Sequence, residues 1–285
     1  MVTPQFEYHR ASSLDEALSL LSEHSSAKVL AGGHSLLPAM KLRLSDPGIL
    51  IDIGRVGDLI GISISKGSIR IGALTTHSTI AASAEVPAGL AEAAGMIGDP
   101  QVRNRGTIGG NVAHADPASD LPTVLTALGA TFHAKSSEGE RSISAEEFFT
   151  GLFETALGEG EILTAVEVPV EGKGTGSAYA KMASPGSRYA MVGAAATVAF
   201  KGGKCESASV AVGGLTPTAV RVSSVEKALV GSMLDGDTIA AAAEAVQDDL
   251  GDDILGDMHA SADYRKAMAP VYVRRAIAAA TERAG

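Results

Sequence analysis

The spacing of apolar residues in the first half of the chain predicts helices and strands in mixed order. A capping box of Ser13 and Glu16 begins a helix whose apolar positions recur at helical spacing from Leu14 to Leu21. Short apolar runs predict strands over 28–31 and 49–53. The same criteria predict a hairpin of strands 62–65 and 68–71, helices over 76–84, 88–97 and 116–128, and strands over 130–135 and 162–168. Between these elements, residues 100–111 show no period of their own.

The pattern changes after a glycine-rich stretch at 170–177, which is the best linker candidate. Three strands are predicted in a row and then three helices: strands 177–183, 191–201 and 206–213, and helices 223–230, 237–250 and 262–282. Pro270 lies inside the last helical pattern and is expected to kink that helix or to mark its true start. Strands followed by helices indicate an α+β unit.

Composition and charge narrow the class of protein. The 285 residues carry a formal charge of −10, which disfavours binding to nucleic acid. The single cysteine, Cys205, excludes an internal disulfide or an iron–sulfur cluster held by this chain alone, and its place near a predicted hairpin tip favours a structural thiol. No secretion signal is visible, and the longest apolar run, 190–200, is short for a membrane span. We therefore expect a soluble, cytoplasmic protein.

Common nucleotide and hydrolase motifs are missing. The chain contains neither a Gly-x-Gly-x-x-Gly dinucleotide fingerprint nor a P-loop. The stretch Gly33–Leu37 resembles half of a nucleophile elbow around Ser35, but Leu37 stands where the sharp turn needs glycine. The histidines have no metal-ligand spacing, so no metal site is predicted.

Two glycine-rich loops remain as candidate chemistry. The first is Ala31–Pro38, directly after a predicted strand, and the second is Gly106–Asn111. A diphosphate needs converging backbone N–H groups with no Cβ in the way, and each loop offers adjacent glycines beside a hydroxyl side chain. Glycines at strand ends also serve simply as turns, so either loop alone is weak evidence. Together they favour binding of one diphosphate from two sides.

This pair of loops, about 75 residues apart, resembles the FAD-binding medium subunits of molybdenum hydroxylases, the relatives of xanthine dehydrogenase and carbon monoxide dehydrogenase. The resemblance covers nearly the whole chain and includes the stretches 6–10, 99–103, 116–122, 161–166, 264–268 and 273–276. It implies an α+β protein with a two-lobed α/β FAD-binding domain, like that of vanillyl-alcohol oxidase, over 1–173. A smaller α+β domain with a three-stranded antiparallel sheet and a helical bundle is implied over 174–285.

The resemblance also implies which residues hold the cofactor, FAD. The positions that match the family are Ala31, Gly32, Gly33, His34, Ser35, Leu36, Ile97, Thr107, Gly109, Gly110, Asn111, Asp120, Leu163, Lys181 and Tyr189. The two glycine loops would face the diphosphate. Asp120 would contact the sugar part, and Lys181, Ile97 and Tyr189 would lie near the flavin ring.

Several of these positions have plain structural alternatives. Asp120 can serve the dipole of its own helix, and Lys181 can be an exposed strand residue. Ile97 and Leu163 can be core residues, and Tyr189 can be a buried tyrosine with a satisfied hydroxyl.

Three other polar residues are assigned from local sequence alone. We expect His34 to contribute its backbone and Asp116 to cap the helix that it begins. His77 is expected to be a surface residue near a helix start.

The family's function follows as an expectation. The chain would be the FAD subunit of a heterotrimer, which itself forms a dimer, with a large molybdenum subunit and a small subunit carrying [2Fe–2S] clusters. It would accept electrons from those clusters and pass them to an external acceptor, with no catalytic side chain of its own.

The substrate would be CO, an aldehyde or an N-heterocycle. The stretch 187–190, where CO enzymes carry Gly-Asp-Tyr/Trp-Ala, favours the last two. The alternatives are a stand-alone FAD oxidoreductase of the same fold and a non-catalytic nucleotide-binding scaffold.

Overall fold

A three-stranded parallel sheet opens the chain. The computed structural model describes all 285 residues and begins with β1 (Glu7–Arg10), α1 (Leu14–Glu23), β2 (Lys28–Leu30), α2 (Leu36–Lys41) and β3 (Ile49–Asp52). Strand β3 lies between β1 and β2 and pairs with both in parallel. Ser13 caps α1 as predicted, whereas Glu16 accepts its hydrogen bond from the backbone of Ser12. The carboxyl ends of all three strands share one edge, and the first glycine loop begins at that edge.

A five-stranded antiparallel sheet and six short helices form the second lobe. After a 3₁₀ turn at Gly57–Leu59, the elements are β4 (Ile62–Ser65), β5 (Ser68–Gly72), α3 (His77–Ala81), α4 (Ala88–Met96), α5 (Pro100–Arg103), α6 (Ile108–His114), α7 (Asp120–Ala127), β6 (Thr131–Lys135), β7 (Glu140–Ser144), α8 (Ala145–Phe148), β8 (Phe149–Gly151), β9 (Glu154–Thr155) and β10 (Ile162–Pro169). The sheet order is β4-β5-β10-β6-β7, and β8 pairs with β9 alone. The predicted hairpin β4–β5 turns at Lys66 and Gly67, which both have positive φ.

The second lobe differs from the sequence prediction in its short elements. Helices α5 and α6 lie in the stretch that shows no period, because each is too short for one and starts from a side-chain cap, Asp99 and Thr107 respectively. The helix predicted from position 116 begins four residues later, at Asp120. The expectation that Asp116 caps it is wrong: the Asp116 carboxylate accepts from the Ala118 N–H at 3.0 Å and holds a turn before the helix.

The C-terminal part is a four-stranded antiparallel sheet followed by helices. Its elements are β11 (Thr175–Ala183), β12 (Ala190–Lys201), β13 (Lys204–Gly213), β14 (Val220–Arg221), α9 (Ser223–Leu229), α10 (Gly236–Glu244), a 3₁₀ turn (Ala245–Asp248) and α11 (Ala262–Ala284). The predicted α+β organisation is confirmed, and β14 adds a short fourth strand. Pro270 neither starts nor ends α11, which continues through it. Cys205 is a free, buried thiol beyond the Gly202–Gly203 turn.

The C-terminal sheet packs between helices on both of its faces. On one face Tyr179, Ala195 and Ala211 join the largest hydrophobic cluster, which also contains buried residues of α4 and α7. On the other face Ala194 and Val212 join a second cluster with α9, α10 and α11. A third, smaller cluster lies under the parallel sheet. No helix combines the length and apolar character needed to cross a membrane.

Candidate functional site

The first glycine loop presents a row of unpaired backbone donors. The loop joins β2 to α2, and the N–H groups of Gly32, Gly33, His34 and Ser35 donate no hydrogen bond within the protein. Gly33 has a φ of +74°, which curves the chain so that successive N–H groups can converge. The Ser35 hydroxyl makes no capping bond to α2. Consecutive N–H groups around a left-handed residue form an anion-binding concavity, so this loop fits a phosphate group.

The second glycine loop uses its backbone donors internally. The Ile108 and Gly109 N–H groups donate to Thr75 and Ala73, and the Gly110 N–H donates to the Thr107 hydroxyl oxygen. The missing Cβ of Gly109 points at Ala73, where it would come within 2.9 Å of the Ala73 Cα. Gly109 therefore lets α6 pack closely against the end of β5, while the exposed Gly110 offers a bare backbone surface.

The side chains of α6 add donors at its outer edge. The Asn111 Oδ1 accepts from the Ser119 hydroxyl at 2.7 Å, and the Asn111 amide nitrogen has no acceptor within the protein. Its N–H₂ group is thus a donor that this loop can offer to a ligand.

The two loops are in direct contact. A Cβ on Gly32 would overlap the Arg105 carbonyl oxygen and lie 3.0 Å from the Gly106 Cα. On the other side of the contact, a Cβ on Gly110 would lie 3.6 Å from the Ala31 Cβ. Glycine at position 32 is required by this approach of one backbone to another, because any side chain would separate the loops. The two loops, which the sequence predicts to bind one diphosphate from two sides, therefore lie in contact with each other.

Two histidines border the loops in different ways. His34 is exposed, and its Nδ1 lies 3.1 Å from the Gly32 carbonyl oxygen, so its ring folds back on its own loop. The expectation that His77 is a surface residue is wrong. His77 is 3% exposed, and its ring lies where a Gly106 side chain would be: a Cβ on Gly106 would lie 2.7 Å from the His77 Cδ2. Burial, together with the charges of His34 and Arg103, lowers the pKa of His77 to about 4.

A buried ion pair lies at the junction of the two domains. Lys181 Nζ lies 2.9 Å from the Asp120 carboxylate, and the two side chains are 4% and 5% exposed. The ammonium also donates to the carbonyl oxygens of Met96 at 3.0 Å and Arg188 at 2.8 Å. Burial raises the pKa of Asp120, and the Lys181 charge and a hydrogen bond from Tyr179 act against that rise. Lys181 is therefore not an exposed strand residue.

The remaining predicted positions surround this ion pair. Ile97 is half-buried at the carboxyl end of α4, next to the Met96 carbonyl that binds Lys181. Tyr189 is 43% exposed and lies close enough to Asp116 and Asp120 for their charges, with burial, to raise its pKa.

Leu163 is buried within the largest cluster, at a bulge in β10, and Leu36 is half-buried at the start of α2. Leu163 therefore belongs to the hydrophobic packing around the site.

Sequence reasoning missed Tyr179, whose hydroxyl donates to Asp120 at 2.7 Å. One signal was available: Tyr179 and Lys181 are two residues apart on a predicted strand and so share one face. What they face, a residue 59 positions earlier, is not readable from strand spacing. No group of three or more His, Cys, Asp or Glu side chains is arranged to hold a metal ion.

Comparisons with known proteins cover the whole chain. The family model described as FAD binding domain in molybdopterin dehydrogenase matches residues 4–171, and that of the CO dehydrogenase flavoprotein C-terminal domain matches 177–280. The carbon monoxide dehydrogenase medium chain of Hydrogenophaga pseudoflava is 40% identical over 99% of both chains. The alpha subunit of the 6-hydroxypseudooxynicotine dehydrogenase complex of Paenarthrobacter nicotinovorans is 41% identical over 100% of this chain and 97% of its own.

A solved structure gives the same picture. A chain of the carbon monoxide dehydrogenase from Hydrogenophaga pseudoflava, crystallised without the molybdenum–pyranopterin moiety, superposes with a TM-score of 0.94 at 41% identity, covering 99% of each chain.

Proposed function

The chain belongs to the FAD-binding subunits of the molybdopterin dehydrogenases, and we propose that it binds FAD between its two glycine loops and relays electrons within a three-subunit dehydrogenase. The observation that carries this is the contact of the loops around four unpaired N–H groups, Gly32 to Ser35. A diphosphate is the group of FAD that such donors suit. When bound, FAD supplies reversible two-electron chemistry that no side chain here provides.

The residues of this chain divide the work of holding the cofactor. The backbone of Gly32, Gly33, His34 and Ser35 binds the diphosphate, flanked by Ala31 and Leu36. Gly110, Thr107 and the Asn111 amide close the other side, with Gly109 fixing the loop against Ala73. Asp120 lies at the sugar part, and Lys181, Ile97 and Tyr189 lie near the ring. Leu163 lies at the adenine or at the backbone region on the flavin side.

The partners follow from the family. We propose a large molybdenum-binding subunit and a small subunit carrying [2Fe–2S] clusters, assembled as a dimer of heterotrimers. The single free cysteine agrees with clusters held elsewhere and with a reducing, cytoplasmic location.

The substrate is bound by the large subunit, so this chain does not select it. Relatives of nearly equal identity carry names for CO and for 6-hydroxypseudooxynicotine. We therefore propose oxidation of CO, an aldehyde or an N-heterocycle by the complex. We place the domain boundary at 173/174, in the loop between β10 and β11.

Purification of the full chain from its own host tests the proposal. We expect a yellow protein that co-elutes with a molybdenum subunit and an iron–sulfur subunit and releases FAD on denaturation. A yellow chain that is active alone would indicate a stand-alone oxidoreductase. A colourless chain that takes up no FAD would refute the proposal and leave a scaffold role.

A further inference from the structure

The hydroxyl of Tyr179 occupies a space that exists because residue 193 is glycine. Tyr179 is 2% exposed, and a Cβ built on Gly193 would lie 2.5 Å from its hydroxyl oxygen and 3.3 Å from Cζ and Cε2. The hydroxyl donates to Asp120 Oδ1 at 2.7 Å. The position of this one oxygen is thus set by a hydrogen bond on one side and by an absent side chain on the other.

Tyr179 and Lys181 hold the same carboxylate from the same strand face. They are two residues apart on β11 and both reach Asp120, the first residue of α7. Lys181 is the cross-strand partner of Gly193, so the glycine that admits the hydroxyl lies directly beside the lysine. The orientation of the Asp120 carboxylate is therefore fixed by two donors rather than by one.

Burial of this ion pair has a cost in folding free energy, which points to a role for the geometry of the pair. A buried ion pair is often no more stabilising than apolar side chains of the same volume, because both charges lose their hydration. Holding this pair with an added buried hydroxyl and a reserved space restricts it to one geometry. We propose that Tyr179 is a positioning residue that acts through Asp120 to hold the Lys181 ammonium against the flavin. This inference rests on the proposed binding of FAD.

The charged groups around Asp120 determine how removal of the Tyr179 hydroxyl changes the protonation of Asp120. Lys181 and Tyr179 contact Asp120 from β11. In the segment before β12, burial and the charges of Asp116 and Asp120 raise the pKa of Tyr189. The Glu92 carboxylate, which is paired with Arg283, accepts a hydrogen bond from the Tyr179 backbone N–H. This hydrogen bond holds strand β11 in place when the Tyr179 hydroxyl is removed. Without the hydroxyl, the carboxylate keeps only Lys181 as a donor and binds a proton more readily.

Three variants of the full chain test the proposal: Tyr179→Phe, Gly193→Ala and both together. Loss of a hydrogen bond to a charged group should weaken FAD binding by about tenfold in Tyr179→Phe. Gly193→Ala should weaken it similarly by displacing the hydroxyl. The double variant should lose little affinity beyond Tyr179→Phe, because removal of the hydroxyl leaves only the 3.3 Å contacts of the new methyl group with the ring carbons Cζ and Cε2. Tyr264→Phe, an exposed tyrosine, and Gly236→Ala, with open space around it, are matched controls.

The flavin midpoint potential separates positioning from mere packing. In Tyr179→Phe the midpoint potential should rise above the wild-type value as pH falls. Protonation of Asp120 leaves the positive charge of Lys181 uncompensated, and that charge favours the reduced flavin. The proposal would be overturned if Tyr179→Phe kept the wild-type FAD affinity and flavin potential. It would also be overturned if Gly193→Ala weakened FAD binding equally in the wild-type chain and in Tyr179→Phe. A wild-type chain that takes up no FAD would instead refute the proposed function, and this inference with it.

Discussion

Replacement of Gly32 by alanine tests whether the contact of the two glycine loops creates the cofactor site. The added Cβ would lie 2.9 Å from the Arg105 carbonyl carbon and 3.0 Å from the Gly106 Cα, and would overlap the Arg105 oxygen. Ordinary van der Waals contact begins at 3.4 Å, so the carbons alone require the loops to separate by about 0.5 Å, and the oxygen requires more. Both obstacles are backbone atoms, which cannot rotate away as a side chain can.

The size of the effect follows from the cost of overpacking. Inserting a methyl group into a closely packed position costs about 1–3 kcal/mol. If the chain relieves that strain by opening the loops, the cost appears in cofactor binding, and about 1.4 kcal/mol corresponds to a tenfold loss. We therefore expect the Kd for FAD to rise by roughly 5- to 140-fold. Titration of the FAD-free full chain, followed by quenching of flavin fluorescence, measures it.

A control and a second measurement make the result decisive. Gly57→Ala, in the same domain with no atom near its added Cβ, should bind FAD as the wild type does. Thermal unfolding of the FAD-free Gly32→Ala variant reports whether the strain is relieved by opening the loops or by unfolding. A folded Gly32→Ala variant with the wild-type Kd would refute the assignment of the diphosphate to this contact.

Two further predictions concern titratable side chains that are not among those proposed to bind FAD. Because the pKa of His77 falls from 6.5 to about 4 on folding, the unfolded chain binds the extra proton between these values, and stability should drop by about 3 kcal/mol as pH falls from 6.5 to 4. His77→Gln should flatten the dependence of the unfolding free energy on pH, measured by chemical unfolding across that range. An unchanged pH dependence would contradict the lowered pKa of His77. Burial raises the pKa of Cys205, and its thiol donates to the Ser207 carbonyl oxygen. A thiol reagent should therefore label Cys205 only after unfolding, and fast labelling of the native chain would show that the site opens.

The parts of the fold that follow local rules could be predicted from the sequence. The hairpin around Lys66 and Gly67, the cap at Ser13 and the C-terminal order of strands and helices depend on spacing within a few residues. The family resemblance drawn from the two glycine loops is confirmed by the family models that match 4–171 and 177–280. A loop motif is recognisable because its glycines answer a local need for backbone approach.

The parts that depend on distant contacts could not be predicted. His77 follows a threonine and precedes a serine, a polar setting that predicts exposure, yet packing against Gly106 buries it. The start of α7 is displaced from Asp116 to Asp120 because Asp116 binds its own turn. No local rule shows that one carboxylate meets partners from a strand some 60 residues later.

The ion pair of Asp120 and Lys181 joins the two parts of the chain that match the two family models. The segment 116–119, which joins α6 to Asp120, is held by the C-terminal domain: the Ala190 N–H donates to Ala118 and the Gly214 N–H donates to Pro117, both at 3.0 Å. Lys181 and Tyr179 lie outside the region 4–171 that matches the FAD-binding family model. An isolated first domain would therefore keep the glycine loops but lose both the partners of Asp120 and the bonds that fix the segment before it. For this reason diphosphate binding and ring positioning should be separable, the first residing in one domain and the second requiring both.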